Sequence, residues 1–345
     1  MRRIALIRGD GIGPEISEAT QRVLEAAGAE IEWREVLVGV RAKAECGHEL
    51  PEESVHTLRE IGVILKAPLI AERCSGGVAV GTGGGVRRYP SINNALRREL
   101  ELFVNVRPVR GWSAISGRYA RTDLVIMREI TEDVYAGIER WVDDGCAEAV
   151  KRITRRASER IARFSCEYAQ KFGRRRVAAI HKANVLHATD GLFLNSVQSV
   201  VREWPDLEFH EFAIDAACYL LVKDPARFDV MVLPNQYGDI VSDLAAGLVG
   251  SLGLAPGANI GESAAMFEAA HGAASDIAGR GVSNPIGLVL SGAMLLDHIG
   301  ERSAAARVRT AVDRVLIEGI ALTPDLDGRG TTEQLTAALC AAARA

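Results

Sequence analysis

The sequence of this 345-residue chain predicts an α/β fold built on a largely parallel β-sheet. Short apolar runs alternate with amphipathic stretches of helical period, which is the pattern of strands connected by helices. The length is sufficient for two domains, and hydrophobic residues make up 48% of the chain, as is usual for a globular protein. No apolar run reaches the ~18 residues that a membrane-spanning helix needs.

The apolar pattern predicts strands at 4–7, 31–38, 62–66, 103–107, 123–128, 177–181, 208–214 and 229–234. Helices are predicted at 14–27, 51–61, 286–299 and 303–318, the first two with Pro14 and Pro51 in their first turns. The basic segment 151–176 favours a solvated amphipathic helix, because no aromatic residues interleave for base stacking. The glycine-rich stretches 75–85 and 247–261 are expected to be loops that approach a ligand.

The composition restricts the class of partner. Lys plus Arg is 41 and Asp plus Glu is 45, so the net charge of −4 argues against a nucleic-acid partner. The six cysteines are scattered, and no C-x-x-C pair indicates a zinc site or a disulfide framework. The first residues enter an apolar strand pattern without the features of a secretory signal, so a cytoplasmic enzyme with reduced thiols is expected.

The first candidate motif follows the first predicted strand and reads Arg8-Gly9-Asp10-Gly11-Ile12-Gly13-Pro14-Glu15. Its glycine spacing differs from the G-x-G-x-x-G fingerprint of dinucleotide-binding Rossmann folds. The alternative interpretation is a tight strand-to-helix turn in which Pro14 opens the helix.

A second motif places two carboxylates four residues apart, Asp239 and Asp243, after a predicted strand-to-helix turn at Gly238. On a helix, residues separated by four lie on the same face. Two carboxylates on one face suit Mg²⁺ or Mn²⁺. The alternative is a purely local role, with Asp239 as the N-cap and Asp243 as a partner of the helix dipole.

Basic residues lie near the ends of predicted strands, where open α/β sheets bind ligands. Arg107 and Arg128 end two of them, and Arg97 precedes the first. Arginine binds carboxylates in a bidentate manner, so the series suggests a small polyanionic substrate. Lys182 also ends an apolar strand, where burial would lower its pKa and make it usable as a base. Tyr135 alone is unremarkable.

Together these motifs resemble the family of isocitrate, isopropylmalate and homoisocitrate dehydrogenases, and most closely its NAD-dependent isocitrate dehydrogenases. The resemblance extends from 9–15 to 323–326 and is most specific in 235–243, 254–261 and 267–272. It implies a non-Rossmann α/β fold of two discontinuous domains with the active site in the cleft. The implied large, cofactor-binding domain is 1–102 plus 250–345. The implied small domain, 103–249, carries the metal site and the dimer interface, with about 133–154 as a dimer clasp.

The resemblance also implies roles for individual residues in a homodimer with shared active sites. Mg²⁺ or Mn²⁺ would be bound by Asp215, Asp239 and Asp243, with Lys182 and Asp215 supplied by the neighbouring subunit. Lys182 would take the proton of the substrate hydroxyl, and Tyr135 would protonate C3 after CO₂ is lost. The substrate would further be bound by Ser91, Asn93, Arg97, Arg107, Arg128 and Asn184. NAD would be bound by Thr82, Glu268, His271, Gly272, Asp276, Ile277 and Asn284, because Asp276 would repel the 2′-phosphate of NADP.

The substrates of this family differ in one substituent of a common malate core. The segment before Arg97 is expected to contact that substituent. Ser91 and Asn93 match the pattern of isocitrate enzymes, where such groups hydrogen-bond a carboxylate. The stretch 87–90 looks about three residues longer than the usual isocitrate loop. Arg87 or Arg88 could therefore serve homoisocitrate or a phosphonomethylmalate analogue, and isopropylmalate is a further alternative. A non-catalytic regulatory subunit is disfavoured, because the catalytic and metal-binding residue types are present.

Overall fold

The structure is a computed structural model that describes residues 2–70, 77–82 and 85–345, with the backbone alone at 81, 82, 85 and 86. The chain divides into two compact units. Unit 1 comprises Met1–Leu102, Trp112–Ala120 and Val249–Ala345, and unit 2 comprises Phe103–Gly111 and Arg121–Leu248. The division differs from the predicted one mainly at Trp112–Ala120. This segment belongs to unit 1 because Trp112 donates a hydrogen bond to Asp313 (2.9 Å) and Ser116 donates one to the Val249 carbonyl (2.5 Å).

Unit 1 contains strands and helices from both ends of the chain. Numbered along the chain, its strands are β1 (Arg2–Ile7), β2 (Ile31–Glu35), β3 (Val63–Lys66), β4 (Val78–Thr82), β5 (Gly85–Tyr89), β13 (Pro256–Gly261) and β14 (Ala265–Ala269). Its helices are α1 (Gly13–Ala26), α2 (Val40–Cys46), α3 (Glu52–Ile61), α4 (Ile92–Glu99), α9 (Ile286–His298), α10 (Arg302–Glu318) and α11 (Thr332–Arg344).

The sheet of unit 1 has the strand order β13-β14-β3-β1-β2. The strands are parallel except β13, which runs antiparallel to β14. In β1, residues Ile4–Ile7 are buried, as expected for a parallel strand covered on both faces. Helices α1, α9, α10 and α11 pack together around an apolar cluster. Helix α1, predicted at 14–27, buries Ile16, Ala19 and Val23.

Unit 2 repeats this plan with different elements. Its strands are β6 (Leu102–Arg110), β7 (Asp123–Glu129), β8 (Glu139–Asp143), β9 (Cys146–Ala149), β10 (Arg176–His181), β11 (Glu208–Ala213) and β12 (Val230–Leu233). Its helices are α5 (Arg155–Lys171), α6 (Thr189–Val201), α7 (Ile214–Lys223) and α8 (Asn235–Val249). The sheet order is β11-β10-β12-β7-β6, parallel except for the antiparallel pair β6–β7. Strands β8 and β9 form a separate hairpin.

The predicted α/β class is confirmed, and the glycine-rich stretches are where the expectation was wrong. Stretch 247–261 contains the end of α8 and strand β13, whose residues Pro256–Asn259 are buried. Within 75–85, β4 pairs antiparallel with β5, and residues 75, 76, 83 and 84 lie outside the described residues. The pattern of small residues concealed these strands because glycine and alanine give no periodic signal of burial. No helix in the described part of the chain is long and apolar enough to cross a membrane.

Candidate active site

Two buried arginines share one face of the β6–β7 pair. Asn105 lies opposite Arg128 in the antiparallel register, and Arg107 is two residues further along β6. Because side chains alternate along a strand, all three point to the same side of the sheet. Arg107 is 7% exposed and Arg128 is 1% exposed, so both guanidinium groups need partners inside the protein. Strand β6 continues to Arg110, beyond the predicted strand end at Arg107.

Helix α8 presents the partners. Asn235, Asp239, Ser242 and Asp243 lie on one face of it, at i, i+4, i+7 and i+8. The predicted turn at Gly238 was wrong, because the helix begins at Asn235, and the alternative of Asp239 as the N-cap is therefore wrong as well. Gly238 has a packing role instead, since a Cβ atom there would lie 2.5 Å from Cγ of Arg128.

The arginine face and the polar face of α8 meet in a dense set of hydrogen bonds. Arg107 donates to Ser242 (2.5 Å) and to Asp243 (3.0 Å). Arg128 donates to the Asn235 side-chain oxygen through Nε (2.9 Å) and Nη2 (2.7 Å), and through Nη1 to Asp239. These contacts fix the orientation of both guanidinium planes, as required for bidentate binding of a carboxylate.

Tyr135 joins the same cluster. Its hydroxyl donates to Oδ2 of Asp239 at 2.5 Å, and the Arg128 guanidinium carbon lies 5.2 Å from the centre of its ring. Tyr135 belongs to a short 3₁₀ helix, Asp133–Ala136, that follows β7. The structure thus brings together Arg107, Arg128, Tyr135, Asp239 and Asp243 from three separate segments of unit 2.

The two aspartates of this cluster are suited to contribute to a divalent-cation site. Their side chains are 34% and 53% exposed, so oxygen atoms of both remain accessible beside the arginines. Burial raises the pKa of Asp243, against the opposing charge of Arg107, and a bound cation would relieve that cost. Within the described residues no three His, Cys, Asp or Glu side chains are grouped to hold a metal, so the pair would need an oxygen ligand from elsewhere.

Lys182 and Asp215 form a second polar pair in unit 2. Lys182 follows β10 directly, and its Nζ donates to Oδ1 of Asp215, in the first turn of α7, at 2.6 Å. That hydrogen bond lowers the pKa of Asp215. The side chain of Lys182 is 26% exposed and that of Asp215 is 69% exposed, so the expected burial of Lys182 is only partial. Asn184, two residues further on, is exposed.

In unit 1, helix α4 carries the third predicted arginine. Arg97 is largely buried, with Nη2 lying 3.6 Å from Oε1 of Glu268, and its Nε has no hydrogen-bond partner among the described residues. Ser91 caps α4 by accepting a hydrogen bond from the Asn94 amide (3.2 Å). The Ser91 hydroxyl proton is not used in this bond and is left to donate to a ligand. The side-chain oxygen of Asn93 is buried without a partner among the described residues.

Lys66 and Asn259 are site-forming residues that the sequence reasoning missed. Lys66, at the end of β3, lies opposite Glu268 of β14, and its ammonium group donates to the Glu268 carboxylate. Asn259 donates to the other carboxylate oxygen at 2.7 Å. Although burial opposes ionisation, the charges of Lys66 and Arg97 hold the pKa of Glu268 at about 2. The available signal was a lysine at the end of an apolar strand, the same signal that identified Lys182.

The glycine-rich motif after β1 is a tight turn, as the second interpretation held. The Asp10 carboxylate accepts hydrogen bonds from the amides of Val40 (3.1 Å) and Ile70 (2.9 Å). The Ile12 amide donates to the Ala273 carbonyl at 2.9 Å. Gly11 has φ +58°, and a Cβ atom there would lie 2.1 Å from the same carbonyl oxygen. The turn therefore supports the backbone of the segment predicted to bind the cofactor.

Within that segment, His271 has the features of a ligand-binding side chain. Its Nδ1 lies 3.0 Å from the Gly272 carbonyl, whereas its Nε2 is buried and has no partner among the described residues. Burial lowers the pKa of His271, so the neutral ring is available for hydrogen bonding. Such an unpaired buried nitrogen fits a cofactor that supplies the missing partner.

The remaining predicted cofactor residues lie in different environments. Asn284 is buried, donates to Asp325 (3.0 Å) and accepts from the Ile286 amide (3.0 Å). Asp276 is exposed and Ile277 is half-buried. Thr82 lies at the end of β4, but its side chain falls outside the described residues.

Arg87 and Arg88 lie on β5 of the β4–β5 hairpin, and both are exposed. Arg87 lies 3.4 Å from Glu99, which also accepts a hydrogen bond from Tyr89. The stretch that looked longer than the usual loop is therefore partly strand.

Comparison with known proteins gives concordant matches over the whole chain. Residues 3–339 match the family described as isocitrate/isopropylmalate dehydrogenase. The chain is 45% identical over 336 residues to the mitochondrial isocitrate dehydrogenase [NAD] catalytic subunit 5 of Arabidopsis thaliana, covering 97% of this chain and 87% of that protein. It is 44% identical over 328 residues to the 3-isopropylmalate dehydrogenase of Archaeoglobus fulgidus, covering 95% of each. A crystal structure of isocitrate dehydrogenase from Methylococcus capsulatus superimposes with a TM-score of 0.93, at 42% identity and full coverage of both chains.

The packing of Gly238 against Arg128 gives a first prediction. Gly238→Ala is expected to destabilise the protein by about 1–3 kcal/mol, because the added methyl group overlaps the Arg128 side chain. Gly247→Ala, in the same helix, is the matched control, since a Cβ atom there meets nothing within 4 Å in the chain. The control is expected to gain up to about 1 kcal/mol from helix propensity. Urea unfolding at neutral pH measures both values, and equal stabilisation by the two substitutions would contradict the packing role.

The ionised state of Glu268 gives a second prediction. Its pKa is about 2 in the folded protein and 4.5 ordinarily, so its contribution to stability is complete above the ordinary value and is lost as the pH falls towards 2. Glu268→Gln is expected to cost about 3 kcal/mol of unfolding free energy at pH 7, and less below pH ~4.5. Glu262→Gln, at an exposed position, is the control and should change the unfolding free energy only slightly at pH 7. A Glu268→Gln effect that stayed constant from pH 7 to pH 3 would show that charge is not its cause.

Proposed function

The chain belongs to the isocitrate/isopropylmalate dehydrogenase family, and from this premise we propose that it oxidises and decarboxylates isocitrate to 2-oxoglutarate with NAD and Mg²⁺ or Mn²⁺. The enzyme is an NAD-dependent decarboxylating dehydrogenase. One observation carries the proposal for its active site. The buried residues Arg107 and Arg128 are bound by Asp243 and Asp239, and the Tyr135 hydroxyl donates a hydrogen bond to Asp239. Guanidinium groups for carboxylates, carboxylates for a cation and a phenol for proton transfer are what this reaction requires.

The choice of isocitrate depends on helix α4, because sequence identity alone does not separate the substrates. The relatives named for isocitrate and for isopropylmalate are 45% and 44% identical to this chain. Ser91 has a hydroxyl proton left to donate, and an ionised carboxylate of the substrate would accept it. This donor favours a carboxylate over the alkyl group of isopropylmalate, since an apolar group would leave the hydroxyl unpaired.

The side chains of this enzyme are assigned the following steps. Arg97, Arg107 and Arg128 bind and orient the carboxylates of the substrate. As the neutral amine, Lys182 Nζ accepts the proton of the 2-hydroxyl, while its hydrogen bond to Asp215 holds it in place. The Tyr135 hydroxyl delivers a proton to C3 after CO₂ has left, and Asp239 orients that hydroxyl. Asp239 and Asp243 would hold the divalent cation, whose positive charge would lower the pKa of the substrate hydroxyl and stabilise the negative charge left by decarboxylation.

The cofactor-binding residues are proposed to lie in the segment from Glu268 to Asn284. His271 Nε2 is assigned to the adenine side of NAD, because it is a buried nitrogen that still needs a partner. Asp276 is exposed and free to accept hydrogen bonds from the ribose hydroxyls, and its charge would repel the 2′-phosphate of NADP. Glu268 is assigned to holding Arg97 and Lys66, since both of its oxygens already have partners in the protein.

We further propose a homodimer in which Lys182 and Asp215 serve the active site of the partner. The support is that Asp239 and Asp243 have no third His, Cys, Asp or Glu grouped with them among the described residues, and that large apolar side chains of unit 2 are exposed. Trp141 on the β8–β9 hairpin is 75% exposed, Tyr219 on α7 is 64% exposed and Ile240 on α8 is 59% exposed. Exposed apolar groups of this size are typical of interaction surfaces. A cytoplasmic location stays a prediction from the sequence.

Homoisocitrate and a phosphonomethylmalate analogue are the competing substrates, because Arg87 and Arg88 are exposed cations on the strand that precedes α4. The regulatory-subunit alternative is not favoured. The proposed catalytic groups Tyr135 and Lys182 and the arginine cluster are intact and hydrogen-bonded to one another or to acidic partners.

A steady-state substrate panel tests the proposal. The purified chain is assayed by NADH formation with isocitrate, homoisocitrate, isopropylmalate and phosphonomethylmalate, each with Mg²⁺ or Mn²⁺, and with NADP in place of NAD. Isocitrate with NAD is expected to give the highest kcat/KM, by about tenfold or more over isopropylmalate, because a polar site left unpaired by an alkyl group loses at least 1.4 kcal/mol. EDTA should abolish turnover.

Two variants control the panel. Lys182→Met should abolish turnover while retaining the fold, whereas Lys171→Met, at the exposed end of α5, should leave it unchanged. If isocitrate is not turned over and another compound of the panel is, that compound replaces isocitrate as the proposed substrate. If none of the four compounds is turned over, the proposed function is wrong.

A further inference from the structure

We propose that a buried ion triad, Asp133–Lys151–Asp190, positions both proton-transfer residues, so that Lys151 is a positioning residue for Tyr135 and Lys182 together. The inference rests on the proposed function for the identity of those two residues. It concerns three side chains of unit 2 that the reaction itself does not use. Both aspartates are 0% exposed, and the side chain of Lys151 is 13% exposed.

Asp190, in the first turn of α6, holds the segment that carries Lys182. Its Oδ2 accepts the backbone N–H of Lys182 at 2.7 Å, and its Oδ1 lies 2.7 Å from Nζ of Lys151. The hydroxyl of Tyr237, on α8, is a third contact of this carboxylate, and burial together with the Asp190 charge raises the pKa of that phenol. A buried carboxylate other than Asp215 therefore binds the Lys182 backbone.

Asp133 holds the segment that carries Tyr135. It has φ +74°, an uncommon conformation for a residue with a side chain, which its hydrogen bonds stabilise. Its amide donates to the Arg152 carbonyl at 2.8 Å, and its Oδ2 accepts the Gln236 amide in the first turn of α8 at 3.0 Å. Asp133 thereby fixes the 3₁₀ turn relative to α8, the helix whose Asp239 accepts the Tyr135 hydroxyl.

Lys151 lies between the two aspartates. Its Nζ lies 2.7 Å from Asp190 and 3.9 Å from Asp133, and it lies 4.2 Å from the centre of the Tyr237 ring. Without that cation, two buried carboxylates would face a site of low polarity with no opposite charge between them. Removing Lys151 should therefore loosen both the segment that carries Lys182 and the segment that carries Tyr135. Changing one aspartate should loosen mainly the segment that this aspartate contacts.

The experiment measures the two proton transfers separately in the full-length enzyme. Single-turnover NADH formation from isocitrate and NAD reports the step at Lys182. Deuterium incorporation at C3 of 2-oxoglutarate in D₂O with Mg²⁺, followed by NMR, reports the step at Tyr135. Asp190→Asn is expected to slow NADH formation by about tenfold or more, because sub-ångström misplacement of a catalytic group costs rates of this order. Asp133→Asn should slow C3 exchange to a similar extent, and Lys151→Met should slow both, with KM for isocitrate changed only a few-fold.

Asp229→Asn is the matched control. Asp229 is also a largely buried aspartate of unit 2, and it accepts two backbone amides, those of Arg175 (2.7 Å) and Arg176 (3.2 Å), and an ion pair from Arg174 (3.1 Å). This variant should lose stability while retaining both rates within about twofold. Both steps retained in Lys151→Met, or equal slowing of both steps by each aspartate variant, would overturn the positioning role. If Lys151→Met does not fold, the isosteric aspartate variants decide the question.

Amide hydrogen exchange separates a failure of this inference from a failure of the proposed function, because it requires no turnover. Asp190→Asn should remove protection at the Lys182 amide and retain it at Gln236, and Asp133→Asn should do the reverse. Unchanged protection at both amides would overturn the triad even if isocitrate is the substrate. The expected changes in protection would uphold its structural part even if another 3-substituted malate proves to be the substrate.

Discussion

The ionic contact between the β6–β7 face and helix α8 is the constraint on which the candidate site depends. A guanidinium that is 1% exposed, as in Arg128, is tolerated only when its donors are satisfied. Asn235 and Asp239 satisfy them, and this requires α8 to begin immediately after β12 and to carry glycine at position 238. The same requirement leaves Asp239 as the acceptor for Tyr135, so the arrangement that stabilises the arginine also orients the phenol.

Unit 1 also contains a buried charge that is paired inside the protein, and different elements supply its partners. There the buried charge is the Glu268 carboxylate, which two cations and the Asn259 amide surround. Arg97 approaches this carboxylate through Nη2, at 3.6 Å, and its Nε has no hydrogen-bond partner among the described residues. In both units, therefore, a largely buried arginine is paired with a carboxylate on a neighbouring element.

The sequence allowed the α/β class, most strands and the reactive residue types to be predicted, because these depend on local patterns. Lys182 and Arg128 could be identified because a charge at the end of an apolar run is conspicuous. Lys66 gives the same signal, but its importance becomes apparent only when β3 pairs with β14, whose residues are about 200 positions away in the chain. Strand β13 was mistaken for a loop because glycine and alanine do not indicate burial, and the start of α8 was misplaced because Gly238 is a packing residue and not a turn. Such features depend on tertiary contacts that no local pattern encodes.

The central claim is that Arg107 and Arg128 bind substrate carboxylates beside a cation held by Asp239 and Asp243. The most direct measurement is a crystal structure of the enzyme with isocitrate and Mn²⁺, with the metal located by anomalous scattering. The account predicts an anomalous peak within coordination distance of both aspartates, about 2.0–2.4 Å, and carboxylate density against both guanidinium groups. A metal bound away from these aspartates, or a substrate that leaves both arginines in their present contacts only, would contradict it.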